Sequence, residues 1–309
     1  MKQPIIDIGS NSIRLTLYAI RNNHSFQILF REKIMAGLAG YVENGALSKE
    51  GIACACEALL EFRHTLELLN IHEAAVFATA SLRNISNTRE ALEKIEAATG
   101  FPIEMLSGEE EATLGYLGAM QELELSDGVF TDIGGASTEI VVFKDGCAQD
   151  SISFAVGSLS LYRNHVKKIL PGNEAKNRIE AVLKEEIDAK SHFSQGKHSP
   201  LIGVGGTSRA VLRLAKKTFD LPEDCNSITA AQLERLTSML CRGDRRAIDL
   251  ILWAGAERIH TLVPGIMILR HVLEHFKADE LIVSKYGVRE GYLCQKLLKK
   301  NTDTLKTGN

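Results

Sequence analysis

At 309 residues the chain is about two domains long by the usual ~150 residues per domain, and 45% hydrophobic against 24% charged residues with 6 Pro excludes both a disulfide-stapled miniprotein and a disordered chain. Lys and Arg total 36 against 39 Asp and Glu, a net charge of -3, so no global positive field collects nucleic acid or anionic lipid; neither is expected as a partner, and any polyanion must be held by a local site. Apolar runs stop short of the ~20 residues of a membrane helix, residues 1–4 lead straight into a strand-like segment, and the cysteines (Cys54, Cys56, Cys147, Cys225, Cys241, Cys294) form no C-x-x-C pair, so a cytoplasmic chain with reduced thiols is expected.

Residues 4–20, PIIDIGSNSIRLTLYAI, read as a strand, a tight polar turn and a returning strand. Helical periodicity follows at 48–69, a strand at 74–80, a helix at 88–100 with Gly100 as its stop, and a helix at 109–120. Residues 121–127 are uncommitted and fall where an interdomain linker is expected. A second strand, turn and strand then occupies 129–143, VFTDIGGASTEIVVF. Helices are expected at 159–165, 174–191, 208–217, 229–240, 247–253, 265–276 and 289–300, with strands at 200–204 and 280–283 and an uncommitted stretch at 191–199. Intermixed strands and helices make the class α/β. The lysine-bearing tail from 296 to 309 reads as a solvated helix end.

Sliding the second hairpin back by 125 positions places Asp132 on Asp7, Ile133 on Ile8, Gly134 on Gly9 and Ser137 on Ser12. An offset of one domain's length points to two similar domains, taken as 1–124 and 125–309, with the helix near 289–305 a candidate to pack back on the first.

Turns rich in Gly, Ser, Asn and Thr present N–H groups and hydroxyls to an anion, and an acid at each strand end can bind a divalent cation; together they suit a metal-bound phosphate chain. The first turn offers Asp7, Gly9, Ser10, Asn11 and Ser12, and the second Asp132, Gly134, Gly135, Ala136, Ser137 and Thr138. A third, Gly205-Gly206-Thr207, follows another apolar strand. Ser107 to Glu111 place three carboxylates in a helix's first turn, which is a well-started helix or, for hydrolysis by water, the source of a base. Arg83, directly after a strand, can neutralise a phosphoryl group. The phase of Arg14 fits either a solvent face or a cleft. His271 and His275 lie four apart on a helix with no third ligand adjacent and read as an exposed helix face.

Seven segments of the chain, in order, resemble the exopolyphosphatase and guanosine pentaphosphate phosphohydrolase (Ppx/GppA) family of the actin-like ATPase superfold: IDIGSNSIRL at 6–15, ATASLRNISN at 78–87, SGEEEA at 107–112, DIGGASTE at 132–139, GVGGTS at 203–208, ERIHTLVPG at 257–265 and VSKYGVREG at 283–291. The resemblance implies two ribonuclease-H-like domains with a cleft between them, in which water cleaves a terminal phosphate in the presence of Mg²⁺. It places the catalytic glutamate on Glu111, to accept the proton of the attacking water. Asp7, Asp132 and Glu139 would hold Mg²⁺, while Arg83 and the turn residues, with Arg14, would bind phosphoryl oxygens. The substrate it implies is inorganic polyphosphate or guanosine pentaphosphate, and a homodimer is a compatible assembly.

Two departures stand out. The family's three glycines are Gly134-Gly135-Ala136 here, and a Cβ at 136 is expected to crowd the phosphate or forbid a positive φ; residues 35–41, MAGLAGY, replace an R-L-G-like stretch. The chain ends about where the family's two-domain core ends, so the HD-type domain of longer members, and with it processive action on very long chains, is not expected. Two rivals are a phosphotransferase of the same superfold, which needs an organic acceptor, and an alarmone-binding regulator without turnover.

Overall fold

Strands β1 (Lys2–Ile8) and β2 (Ile13–Ile20) make the first hairpin, and β3 (Phe26–Ile34) extends it antiparallel on the far side of β2. A short ribbon of β4 (Val42–Glu43) and β5 (Ala46–Leu47) leads to helix α1 (Lys49–Leu68), which Ser48 starts by accepting the Gly51 N–H at 3.2 Å. Strand β6 (Ala75–Ala78), the single-turn α2 (Ala80–Arg83), α3 (Thr88–Thr99) and β7 (Ile103–Met105) follow, and α3 ends at Gly100 with φ of 68°, the left-handed cap a glycine favours. The sheet order is β3-β2-β1-β6-β7, with β6 and β7 parallel to β1. One face carries Ile6, Ile8, Ile13, Leu15, Val76 and Ala78 against Ala55, Leu59, Phe62, Ala91 and Ile95 of α1 and α3. Because side chains alternate along a strand, Asp7 belongs to the other face.

Helix α4 (Gly108–Ala119) leads into β8 (Gly128–Ile133), β9 (Thr138–Lys144) and β10 (Cys147–Phe154), an antiparallel meander like the first. Then come α5 (Ser158–His165), α6 (Asn173–Leu183), β11 (Leu201–Val204), α7 (Gly205–Phe219), β12 (Ser227–Thr229), α8 (Ala230–Cys241), α9 (Arg245–Gly255), α10 (Leu262–His275), β13 (Glu280–Val283) and α11 (Val288–Tyr292). The sheet order is β10-β9-β8-β11-β13-β12. Its first five strands repeat the order and directions of the first sheet, so the duplication seen at the hairpins extends over five strands in the ribonuclease-H-like arrangement.

The two faces of this sheet differ. Val129, Ile133, Ile140, Val142 and Leu201 face the large core built with α5 to α10, whereas Phe130, Val141, Phe143, Ile202 and Val204 face α4 through Ala112, Tyr116 and Ala119. Alternation therefore puts Asp132 and Glu139 on the α4 face.

This computed structural model describes residues 1–188 and 197–298, in two units, Met1–Glu110 and Glu111–Asn309. The division falls inside α4, not at 124/125, because the helix from Glu111 onward packs on the second sheet. Residues 121–127 accordingly lie within the second unit and are not its boundary. The end of the helix expected at 174–191, most of 191–199 and the tail beyond 298 lie outside the described residues. Of the strands that sequence did not mark, β4 and β5 form their own two-stranded ribbon, and β3, β7, β10 and β12 are the edge strands of the two larger sheets, where a half-polar pattern suffices. Among the described residues no helix is long and apolar enough to cross a membrane, and all six cysteines are free thiols.

Candidate active site

Each hairpin turn is held from behind by its carbonyls. In the second, Gly134 N–H donates to Ser137 O at 2.9 Å; Gly134 O accepts from the Ser158 N–H and Oγ, and Gly135 O from the N–H groups of Leu159 and Ser160, so the first turn of α5 is spent on the loop. In the first, Gly9 N–H donates to Ser12 O at 3.2 Å, while Asn11 O and Ser10 O accept from Gly37 and Ala39. The departing segment 35–41 is thus the buttress of the first turn. With the carbonyls committed, each turn presents N–H groups: among the described residues nothing accepts from Ser10, Asn11, Gly135 or Ala136. Such a concavity of amides binds anions.

Neither Gly134, Gly135 nor Ala136 has a positive φ, so the alanine fits the turn without strain. The demand for a bare backbone lies at a residue the sequence reading did not name: a Cβ on Gly157 would stand 2.5 Å from Gly135 C and O and from Ala136 N.

Asp132 pairs in register with Glu139 across β8–β9 and with Val204 on β11. Glu139 is 1% exposed, and its Oε1 accepts from Ser153 Oγ on β10 at 2.8 Å. Asp132 is half-buried, its Oδ1 so close to Gly205 that a Cβ there would lie 2.4 Å away, and Gly205 has φ of +78°. Gly205, Gly206 and Thr207 are not a free loop but the first turn of the 15-residue α7, a helix N-terminus suited to anions. Thr207 packs on Gly265 of α10 and is buried, which leaves its backbone N–H for a ligand. The Thr138 hydroxyl, expected to face a phosphate, instead donates to Val156 O at 2.6 Å in the core; Ser137 is buried beside it.

The carboxylates at the start of α4 separate by environment. Glu110 closes a capping box with Ser107, accepting the Ser107 N–H at 3.0 Å while Ser107 Oγ accepts the Glu110 N–H at 3.1 Å. Glu109 is exposed, and Glu111 is half-buried on the helix that covers the Asp132 face. Burial pushes the Tyr116 phenol on the same helix up to about 12, and its hydroxyl donates to Gly146 O at 3.0 Å.

In the first unit Asp7 pairs with Arg14 on β2 and with Phe77 on β6. Arg14 Nε donates to Ser12 Oγ at 3.0 Å, tying it to the turn, and Ser81 Oγ donates to Ile8 O at 2.8 Å, tying α2 to the same strand end. Arg83, at the end of α2, donates through Nη1 to Leu106 O at 3.0 Å. Arg258, in the ERIHTLVPG segment but given no role from sequence, rests on the start of α7: a Cβ on Gly206 would lie 2.6 Å from both its terminal nitrogens.

Mg²⁺ takes one or two carboxylates and fills its octahedron with waters and substrate phosphate. Asp132 and Glu139, paired across β8–β9 on one face of the sheet, could supply such carboxylates.

The model of the Ppx/GppA phosphatase family matches residues 16–300. The chain is 29% identical over 300 residues to a Haemophilus influenzae protein provisionally named an exopolyphosphatase, covering 96% of this chain and 91% of that one. It is 27% identical to the Vibrio vulnificus guanosine-5'-triphosphate,3'-diphosphate pyrophosphatase, over 97% of this chain but 60% of that protein's length. The crystal structure of the Aquifex aeolicus Ppx/GppA member superposes with a TM-score of 0.78 at 26% identity, covering 97% of this chain and 99% of that one. The matched length, the duplicated sheet and the amide-lined turns agree, and the chain belongs to the Ppx/GppA phosphatase family.

Proposed function

We propose that the protein is a cytoplasmic Mg²⁺-dependent phosphohydrolase that removes the terminal phosphate of inorganic polyphosphate as orthophosphate. The observation that carries this reading is the face of the second sheet on which Asp132 and Glu139 stand as a cross-strand pair under the helix of Glu111. Paired carboxylates on neighbouring strands are a donor set that suits a hard divalent cation. Bound there, Mg²⁺ would neutralise charge developing on the phosphoryl oxygens.

The remaining roles fall to the chain's own groups. Glu111 accepts the proton of the attacking water. The amides of residues 134–137 and the first turn of α7 would bind phosphoryl oxygens, as would Arg83, Arg14 and the amides of residues 9–12, and Asp7 is a further candidate ligand for Mg²⁺. With a net charge of -3, the chain has only such local groups with which to hold a polyanion.

The pyrophosphatase name of the Vibrio vulnificus relative supports a second substrate, guanosine pentaphosphate, cleaved by the same groups. Phosphate release from short polyphosphate, long polyphosphate, guanosine pentaphosphate and ATP, with Mg²⁺ and with EDTA, tests the reading. Fastest Mg²⁺-dependent release from polyphosphate supports it; a preference for the pentaphosphate moves the assignment to the second substrate. Release that needs an added organic acceptor identifies a phosphotransferase, and binding without turnover a regulator.

A further inference from the structure

Glycine in a helix interior costs roughly 1 kcal/mol relative to alanine, yet α4 carries two, Gly115 and Gly118, within a single helical turn. Each is required by a close approach. A Cβ on Gly118 would lie 1.9 Å from Gly287 O, and one on Gly291 would lie 1.8 Å from Leu114 O, so α4 and α11 cross backbone to backbone. Glu122, just past α4, accepts from Ser284 Oγ at 2.9 Å and from Lys285 N–H at 2.7 Å, which fastens the helix's other end to the segment after β13. A Cβ on Gly115 would lie 2.7 Å from Cζ of Phe130, so on this side the helix backbone rests directly on one ring of β8.

Glu111, Gly115 and Gly118 are spaced i, i+4, i+7 and share one face of α4. Phe130 and Asp132 are two apart and share one face of β8. The short connection of residues 120–127 makes helix and strand antiparallel neighbours. Moving from the Gly115–Phe130 contact toward the start of α4 by four residues, about 6 Å at 1.5 Å per residue, reaches Glu111. Moving the same way along β8 by two residues, about 6.6 Å at 3.3 Å per residue, reaches Asp132. The two steps are nearly equal.

We propose that Gly115 is a positioning residue for hydrolysis: its contact with the Phe130 ring sets the spacing between Glu111 and Asp132, and therefore between the proton acceptor and the metal-bound phosphate. This rests on the role given above to Glu111. The crossing at Gly118 and Gly291 fixes α4 against backbone that cannot yield, whereas the Gly115 contact is with a side chain, so a substitution there displaces the helix start instead of unmaking the fold.

The test is kinetic, on the full chain, with Gly115→Ala, Phe130→Leu and the double variant, using polyphosphate of one chain length and saturating Mg²⁺. Gly115→Ala is expected to lower kcat about 10²-fold with KM within about threefold, since a displacement near 1 Å costs that much in a positioned reaction. Phe130→Leu alone lowers kcat severalfold by slackening the contact, and the double variant recovers at least tenfold over Gly115→Ala. A merely structural role gives a lower melting temperature with unchanged kcat per folded molecule, and that result overturns the proposal. So does a folded double variant with no recovery, and so does an unaltered Phe130→Leu enzyme where Gly115→Ala does not fold. Glu111→Gln, measured alongside, separates the two failures: if it is fully active the base assignment is wrong, and if it is inactive while Gly115→Ala is normal only the positioning role is wrong.

Discussion

Asp132 stands opposite Glu139 across the second hairpin as Asp7 stands opposite Arg14 across the first, each partner 125 residues after its counterpart. The duplicated frame is thus used in two ways. In the first hairpin a carboxylate faces a guanidinium and the pair is charge-balanced. In the second, two carboxylates stand opposite each other on one face, with Glu139 only 1% exposed.

That contrast predicts a link between metal and stability. The melting of wild type and of Glu139→Gln is compared in EDTA and in Mg²⁺. Mg²⁺ should raise the wild-type melting temperature and leave the variant's unchanged. Differential scanning calorimetry with and without Mg²⁺ checks both, and equal Mg²⁺ responses in the two proteins contradict the assignment.

Ser153 orients Glu139 through its hydroxyl at 2.8 Å. Losing a group that orients a metal-binding carboxylate typically weakens the metal about 10–100-fold. Ser153→Ala should therefore raise the Mg²⁺ concentration for half-maximal phosphate release at least tenfold while leaving the rate at saturating Mg²⁺ within a fewfold of wild type.

The turn of residues 134–137 depends on an absent side chain at position 157. Gly157→Ala drives a Cβ into Gly135 and Ala136 backbone, so catalytic efficiency should fall by about 10² or more through displaced amides. Gly172→Ala, where a Cβ meets nothing within 4 Å, is the control and should stay near wild type. Ala136→Gly should change the rate less than threefold and lower stability by about 0.4–1 kcal/mol, because alanine already fits its φ and glycine only loosens the unfolded chain.

Much of this was readable from sequence where the signal was local. The two hairpins, the stop at Gly100 and the acids at strand ends are all short-range patterns, and the structure has them at those positions. Tertiary partners were not readable. Nothing local marks Gly157 as the residue under the turn, Arg258 as the side chain lying on Gly206, or Thr138 as a hydroxyl spent on Val156. The edge strand β10, CAQDSISF, hides because its exposed side needs no apolar residue. The division inside α4 hides because a continuous helix gives no break where its packing partner changes.

Alkaline pH gives an independent check on how α4 is buried. Tyr116 has its folded-state value raised to about 12 from an ordinary ~10, so the folded chain holds this proton more tightly. The resulting stability is fully present below about pH 10 and is lost as pH rises toward 12. Tyr116→Phe should flatten that part of the stability profile while costing about 1 kcal/mol at neutral pH for the lost bond to Gly146 O. Unfolding midpoints from pH 8 to 12, with tyrosinate absorbance followed in parallel, check this.

The central claim is that Glu111, and neither of its neighbouring carboxylates, takes the proton of the attacking water. Glu110 caps the helix and Glu109 is exposed, so the three can be told apart in one measurement of Mg²⁺-dependent phosphate release from polyphosphate by Glu109→Gln, Glu110→Gln and Glu111→Gln. Glu111→Gln should lose about 10²–10⁴-fold in kcat with substrate binding retained, while the other two stay within tenfold of wild type. Phosphate release by Glu111→Gln at the wild-type rate would contradict the account.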